Sequence, residues 1–167
     1  MKKELVVDIS YDDDSYREVA PEELVRKRIV SVLEALGVDP CELSLSFVSD
    51  VRMQELNKTY RDKDESTDIL SFVQEEDLQD FSWPELSFSG DSAPPVELRV
   101  LGDMVISIDT LKRNAQSFSV DVDEELFRLL VHGLLHLLGF DHASNDALEP
   151  MLVQQEQILM KLGGIKR

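Results

Sequence analysis

The three histidines of this chain all fall in one eleven-residue window, His132-Gly-Leu-Leu-His136-Leu-Leu-Gly139-Phe-Asp-His142. On a helix, residues four apart are offset by about 40° around the axis and about 6 Å along it, so His132 and His136 project from one face. That spacing lets two ring nitrogens meet one metal ion. Gly139 suits a left-handed exit from the helix, which costs little without a Cβ, and the returning chain can bring His142 to the same ion. Three neutral imidazoles and an open position for water make a catalytic zinc-type site, whereas structural sites usually close with thiolates. The one cysteine, Cys41, is far away in sequence. Nickel, copper and cobalt suit three imidazoles as well. One histidine on an apolar helix is ordinarily a hydrogen-bonded core or surface residue; three at these spacings, with glycine at the turn, indicate a metal site.

The spacing also matches the extended zincin pattern His-Glu-x-x-His-x-x-Gly-x-x-His, with one change. Where metalloproteases place the glutamate that activates water, this chain has Gly133. The geometry is that of a metal hydrolase, and peptide hydrolysis loses its general base.

Stepping outward, the elements that must carry these groups are legible. Leu5–Ile9 reads as a strand. Pro21-Glu22-Glu23 opens a helix, with apolar residues from Leu24 to Leu36 at helical spacing and Gly37 as its stop. Leu43, Leu45 and Phe47 alternate with Ser44 and Ser46, the period of a strand with one wet face. Ser49 and Asp50 can cap a helix from Val51 to about Tyr60, and the polar run Arg61–Thr67 leads into a strand over Asp68–Val73. Gln74 to about Pro95 is acidic, contains Ser and Pro, has no clear period and reads as a long flexible loop. Glu97–Ile108 reads as a strand or hairpin arm and Thr110–Phe118 as a short helix. Asp121 with Glu124 resembles a capping box, opening a helix that runs to Leu138 and stops at Gly139. A last helix spans about Asp146 to Leu162, with Pro150 tolerable only near its start.

At 167 residues, with 43% hydrophobic residues in periodic blocks, the chain predicts a single domain over residues 1–167 of α+β class, with a small mixed sheet packed against helices. Disordered and low-complexity classes are excluded. One cysteine gives no internal disulfide. The richest apolar stretch, Leu126–Phe140, is interrupted by Arg128, His132 and His136, so no membrane span is expected and a cytoplasmic location is. Seventeen Lys and Arg against thirty-four Asp and Glu give a net charge of −17, which disfavours loose attraction to phosphate backbones.

HGLLHLLGFDH resembles the signature of the YbeY family, metal-dependent endoribonucleases of bacterial rRNA maturation. Two upstream segments agree with it: Leu56-Asn57-Lys58-Thr59-Tyr60-Arg61 continuing through Ser66-Thr67-Asp68-Ile69-Leu70-Ser71-Phe72, and Leu101-Gly102-Asp103-Met104-Val105-Ile106. The resemblance covers about Leu45 to Gly163. It implies an α+β fold with zincin-like metal geometry, Zn2+ on His132, His136 and His142, and cleavage of single-stranded RNA in 16S rRNA 3′-end maturation and ribosome quality control. Single-stranded rRNA on the small subunit, ribosomal proteins or an assembly GTPase are the implied partners. The family's functionally important arginine falls on Arg61. The chain departs from the family with Val73 where proline is usual, and with a longer acidic stretch over Gln74–Pro95.

A metal at this site would polarise a phosphate oxygen or acidify a bound water, and a guanidinium would clamp the phosphate. Arg61 suits the clamp, its structural alternative being a surface ion pair with Asp62 or Asp64. Asp141 and Asp103 can orient imidazoles or act as plain turn residues. Local positive charge exists in Arg26-Lys27-Arg28, in Lys58, Arg61 and Lys63, and in Lys112-Arg113. Phe81, Trp83 and Phe88 can stack on unpaired bases or fold back onto the core. The sequence therefore points to a metal-dependent single-strand endoribonuclease that binds free RNA weakly and with strong salt dependence. A peptide hydrolase, or an assembly factor with a structural metal, is the alternative.

Overall fold

The computed structural model describes residues 5–73, 99–140 and 149–163. Four strands, β1 (Val6–Tyr11), β2 (Cys41–Val48), β3 (Ile69–Val73) and β4 (Arg99–Ser107), form one sheet in the order β1-β2-β4-β3. β1, β2 and β4 run parallel, and β3 closes the edge antiparallel to β4. Six helices are described: α1 (Tyr16–Val19), α2 (Glu22–Ala35), α3 (Asp50–Arg61), α4 (Ile108–Ser117), α5 (Val122–Leu137) and α6 (Pro150–Gly163). The mixed sheet and its helices bear out the α+β expectation. The short α1 follows the polar run Asp12-Asp13-Asp14; Asp13 accepts hydrogen bonds from the Ser15 amide and hydroxyl, and Tyr11 Oη donates to the Ala20 carbonyl at 2.5 Å. The acidic segment expected as a loop over 74–95 lies outside the described residues.

Strand alternation divides the core. Cys41, Leu43, Leu45 and Phe47 of β2 with Met104 and Ile106 of β4 face the side covered by α2, α4, α5 and α6. Val48 and Val105 face the other side, where Met53 and Leu56 of α3 meet Leu70 and Phe72. α5 is apolar nearly all round because it is buried nearly all round, from Leu126 through Leu137. Its end follows the sequence expectation: Gly139 takes φ +99°, and Phe140 N donates to the Leu135 carbonyl at 3.0 Å, the wider bond of a Schellman closure. Asp121 is the N-cap residue of α5, but its side chain makes no capping hydrogen bond.

Two features fix the edge that carries β3. The first is Gly102, at φ +140°, next to an irregularity in the β2–β4 register; a Cβ there would collide with the Phe72 carbonyl oxygen. Gly102→Ala is therefore expected to cost about 3 kcal/mol or more, measured as a lowered midpoint in urea unfolding.

The second is Asp50, whose Oδ1 accepts from Ser66 (2.9 Å), Ser107 (2.7 Å) and Thr110 (2.6 Å) while Oδ2 meets Arg113 at 2.6 Å. One carboxylate thus joins α3, the segment before β3, the end of β4 and α4. Burial alone would raise its pKa, but the Arg113 guanidinium and the three hydroxyls outweigh it and hold the carboxyl well below its ordinary value of 3.8. Asp50→Ala is expected to cost about 2–4 kcal/mol at neutral pH. Because the folded pKa is depressed, that contribution is complete above about pH 4 and is lost as pH falls through the folded value. Chemical denaturation of wild type and variant at pH 7 checks the size, and at pH 3 the difference should have shrunk only in part, because the folded value lies lower still.

Candidate active site

α5 delivers His132 and His136 to the rim of a cleft of about 790 Å³, whose other wall comes from the end of α3, the segment after it, and β3. The rings lie 4.6 Å apart at 72°, with their Nε2 atoms 3.1 Å apart. Two imidazole nitrogens bound about 2.05 Å from one tetrahedral ion would sit about 3.3 Å apart, so the pair fits a shared divalent cation. The donor chemistry, neutral nitrogen rather than thiolate or carboxylate, fits zinc or a neighbouring transition metal. His142, the third expected ligand, and Asp141 lie outside the described residues.

Gly133 explains how the helix comes so close to the sheet. A Cβ at this position would stand 2.6 Å from Met104 Sδ and 2.7 Å from Ile69 Cδ1. The position that bears glutamate in metalloproteases is here pressed against β3 and β4, where a side chain would force those of Met104 and Ile69 to shift.

Arg61 also lines the cleft. It is the last residue of α3 rather than the head of an irregular loop, because Asp62 closes the helix in the left-handed region at φ 59° and its amide bonds back to the Asn57 carbonyl. The Arg61 Nη2 donates to the Ser71 carbonyl at 2.7 Å, and its guanidinium lies 5.5 Å from the Phe72 ring centroid. Asp64 is engaged instead by Lys58 at 3.9 Å and by Gln54 Nε2 at 3.0 Å. Among the described residues, then, the surface ion pair that served as the alternative for Arg61 is not formed.

Among the described residues, Asp103 does not meet an imidazole. It lies one residue before Met104, on the opposite face of β4 from α5, where the Ser44 hydroxyl hydrogen-bonds to it and Tyr60, Leu56 and Phe72 are neighbours. The residue that does meet an imidazole is Gln155 of α6, whose Oε1 lies 2.7 Å from His132 Nδ1. It is buried, like Met151, Ile158 and Leu159 on the same helix. A polar residue set within the apolar stripe of the last helix is the signal that could have found it.

The basic runs fare differently. Arg26 donates to the Val7 carbonyl at 2.6 Å, Arg28 forms a two-pronged pair with Asp123 at 2.8 and 2.5 Å, and Arg113 serves Asp50. Arg61 and Lys63 line the cleft. Phe81, Trp83 and Phe88 lie outside the described residues, among which no helix is long and apolar enough to cross a membrane.

Comparison with known proteins gives the family. A family model described as Endoribonuclease YbeY matches residues 8–163. The Endoribonuclease YbeY of Treponema denticola is 40% identical over 155 residues, 93% of this chain and 92% of that protein. Those of Borreliella burgdorferi and Staphylococcus aureus are 41% identical over 132 residues and 42% over 125, covering 78% and 75% of this chain and 80% and 75% of their own lengths. A solution structure of a Thermotoga maritima protein superposes with a TM-score of 0.61 over 95% of this chain and 90% of that one, at 20% identity, and shares the fold. With the match running through every element that builds the cleft, this chain belongs to the YbeY family of endoribonucleases.

Proposed function

We propose that the chain is a metal-dependent endonuclease of single-stranded RNA, with Zn2+ held by His132, His136 and His142 and with Arg61 as the catalytic phosphate clamp. Its proposed setting is 16S rRNA 3′-end maturation and ribosome quality control in the cytoplasm. The observation that carries this reading is the convergence of two imidazole Nε2 atoms, 3.1 Å apart, on the cleft that Arg61 also lines. When bound, a divalent ion supplies Lewis acidity toward a phosphate oxygen and acidifies water. Arg61 is pre-positioned for its part: one N–H is spent on the Ser71 carbonyl, and a guanidinium has further donors for the oxygens of a phosphate. Those donors act where negative charge grows as the phosphodiester is attacked.

Charge decides how substrate arrives. At a net −17, and with Arg26, Arg28 and Arg113 committed to intramolecular partners, the basic side chains that line the cleft among the described residues are Arg61 and Lys63. Two phosphate contacts to a single strand give a log–log salt slope of about −1.4, so affinity should fall only about sevenfold between 50 and 200 mM salt, a milder dependence than the sequence led us to expect. Productive engagement then takes place on the small ribosomal subunit, with ribosomal proteins or an assembly GTPase supplying what the cleft lacks.

The test pairs metal analysis of the purified protein with cleavage of single- and double-stranded RNA of one composition. One divalent ion per chain and chelator-sensitive cleavage of the single strand alone are expected. Undiminished cleavage after complete metal removal, or equal cleavage of the duplex, overturns the reading.

A further inference from the structure

We infer that Gln155 is a positioning residue for His132: its side-chain carbonyl accepts a hydrogen bond from Nδ1–H, which keeps the proton on Nδ1 and thereby reserves Nε2 as the lone-pair nitrogen that faces His136. The consequence for metal affinity rests on the reading just proposed; the consequence for the imidazole proton does not.

A neutral imidazole carries one proton on either ring nitrogen, and a ligand nitrogen must carry none. Nothing intrinsic to a helix selects the correct one. Here the Gln155 Oε1 sits 2.7 Å from His132 Nδ1, and because an amide oxygen can only accept, this contact is a hydrogen bond when Nδ1 carries the proton. Were the amide turned round, its N–H would donate to Nδ1 and the proton would move to Nε2, blocking the nitrogen 3.1 Å from His136. Gln155 is only 6% exposed, so water does not readily replace it.

The placement of Gln155 is built into the fold. α6 packs along α5, with Met151, Ile158 and Leu159 joined to the main core. On the next residue, Glu156 forms an ion pair with Arg128, one turn before His132 on α5. The apolar stripe and that pair fix the register of the two helices, and the register places residue 155 opposite residue 132. An acceptor of this kind raises ligand basicity and holds the ring at its angle, and its loss typically costs 10- to 100-fold in metal affinity.

The experiment uses the full-length protein labelled with 15N-histidine. Long-range 1H–15N spectra of the metal-free wild type, recorded above the imidazole titration range, should show His132 as the Nδ1–H tautomer. An Nε2–H tautomer at His132 overturns the proposal. Gln155→Leu, which fills the space without an acceptor, should scramble that tautomer and weaken Zn2+ binding 10- to 100-fold in competition with a chromophoric chelator. Gln155→Glu, which keeps an acceptor at similar reach, should preserve the tautomer and restore affinity to within a few fold. Unchanged tautomer and unchanged Zn2+ affinity in Gln155→Leu overturn the proposal. If the wild type takes up no Zn2+ yet shows the Nδ1–H tautomer, and Gln155→Leu loses it, the positioning role stands and the metal reading falls. If Gln155→Leu fails to fold by circular dichroism, the wild-type tautomer and the Gln155→Glu comparison decide.

Discussion

His136→Ala is expected to lower cleavage of single-stranded RNA by at least about 10³-fold, and to drop metal content well below one ion per chain, while leaving the fold intact. The two effects share one cause. His136 supplies one of the two nitrogens that meet 3.1 Å apart, and alanine leaves His132 without its described neighbour in the site. Metal ions contribute several kcal/mol of charge stabilisation to reactions at phosphate, and a loss of about 4 kcal/mol is a factor of about 10³ in rate. Folding should survive because His136 is half-buried at the cleft rim rather than in the core. Metal analysis, circular dichroism and single-turnover cleavage on one preparation check all three statements. A variant that keeps its metal and cleaves within tenfold of wild type would refute the assignment.

The second large effect is expected from Arg61→Lys. Retaining the positive charge should not retain the activity, and single-turnover cleavage should fall about 10²-fold or more, in the range seen when one donor to developing charge is removed. The reason is geometric. Arg61 reaches the Ser71 carbonyl with Nη2 at 2.7 Å and lies over the Phe72 ring, which holds a planar fork at a set angle to the cleft. An ammonium is a point charge with no such fork, and it cannot bind Ser71 and grip two phosphate oxygens in the same way. The loss should appear in the rate at saturating RNA rather than in RNA affinity, because the clamp acts where charge develops. Stability should hardly change, since Arg61 is exposed. A lysine variant of near-wild-type rate, or one whose only defect is in binding, would reduce Arg61 to a docking charge.

These expectations draw unequally on sequence and structure. A spacing of four on a helix is a local property, so that His132 and His136 share one face follows from backbone geometry alone. The glycine exits at Gly37 and Gly139 are local for the same reason, and both take positive φ. Strand alternation in β2 separated buried Leu43, Leu45 and Phe47 from half-buried Ser44 and Ser46 correctly, while Val48 is buried on the second face under α3. Family membership was legible too, carried by three motifs that the folded chain brings to one sheet edge.

Contacts between segments distant in sequence were not legible. Asp103 and Gln155 are both polar residues near suggestive motifs, and pattern alone favours the aspartate. The sheet decides otherwise: period-two alternation turns Asp103 away from α5, while the docking register of α6 turns Gln155 toward His132. Arg61 shows the same limit. Its sequence neighbours Asp62 and Asp64 suggest an ion pair, yet the left-handed turn at Asp62 ends α3 so that the guanidinium reaches Ser71 on the antiparallel edge strand. Local periodicity determined which residues could bind, because helix and strand repeats depend only on near neighbours. Which groups face each other across the cleft was decided by packing, because that depends on how separately encoded surfaces bury one another.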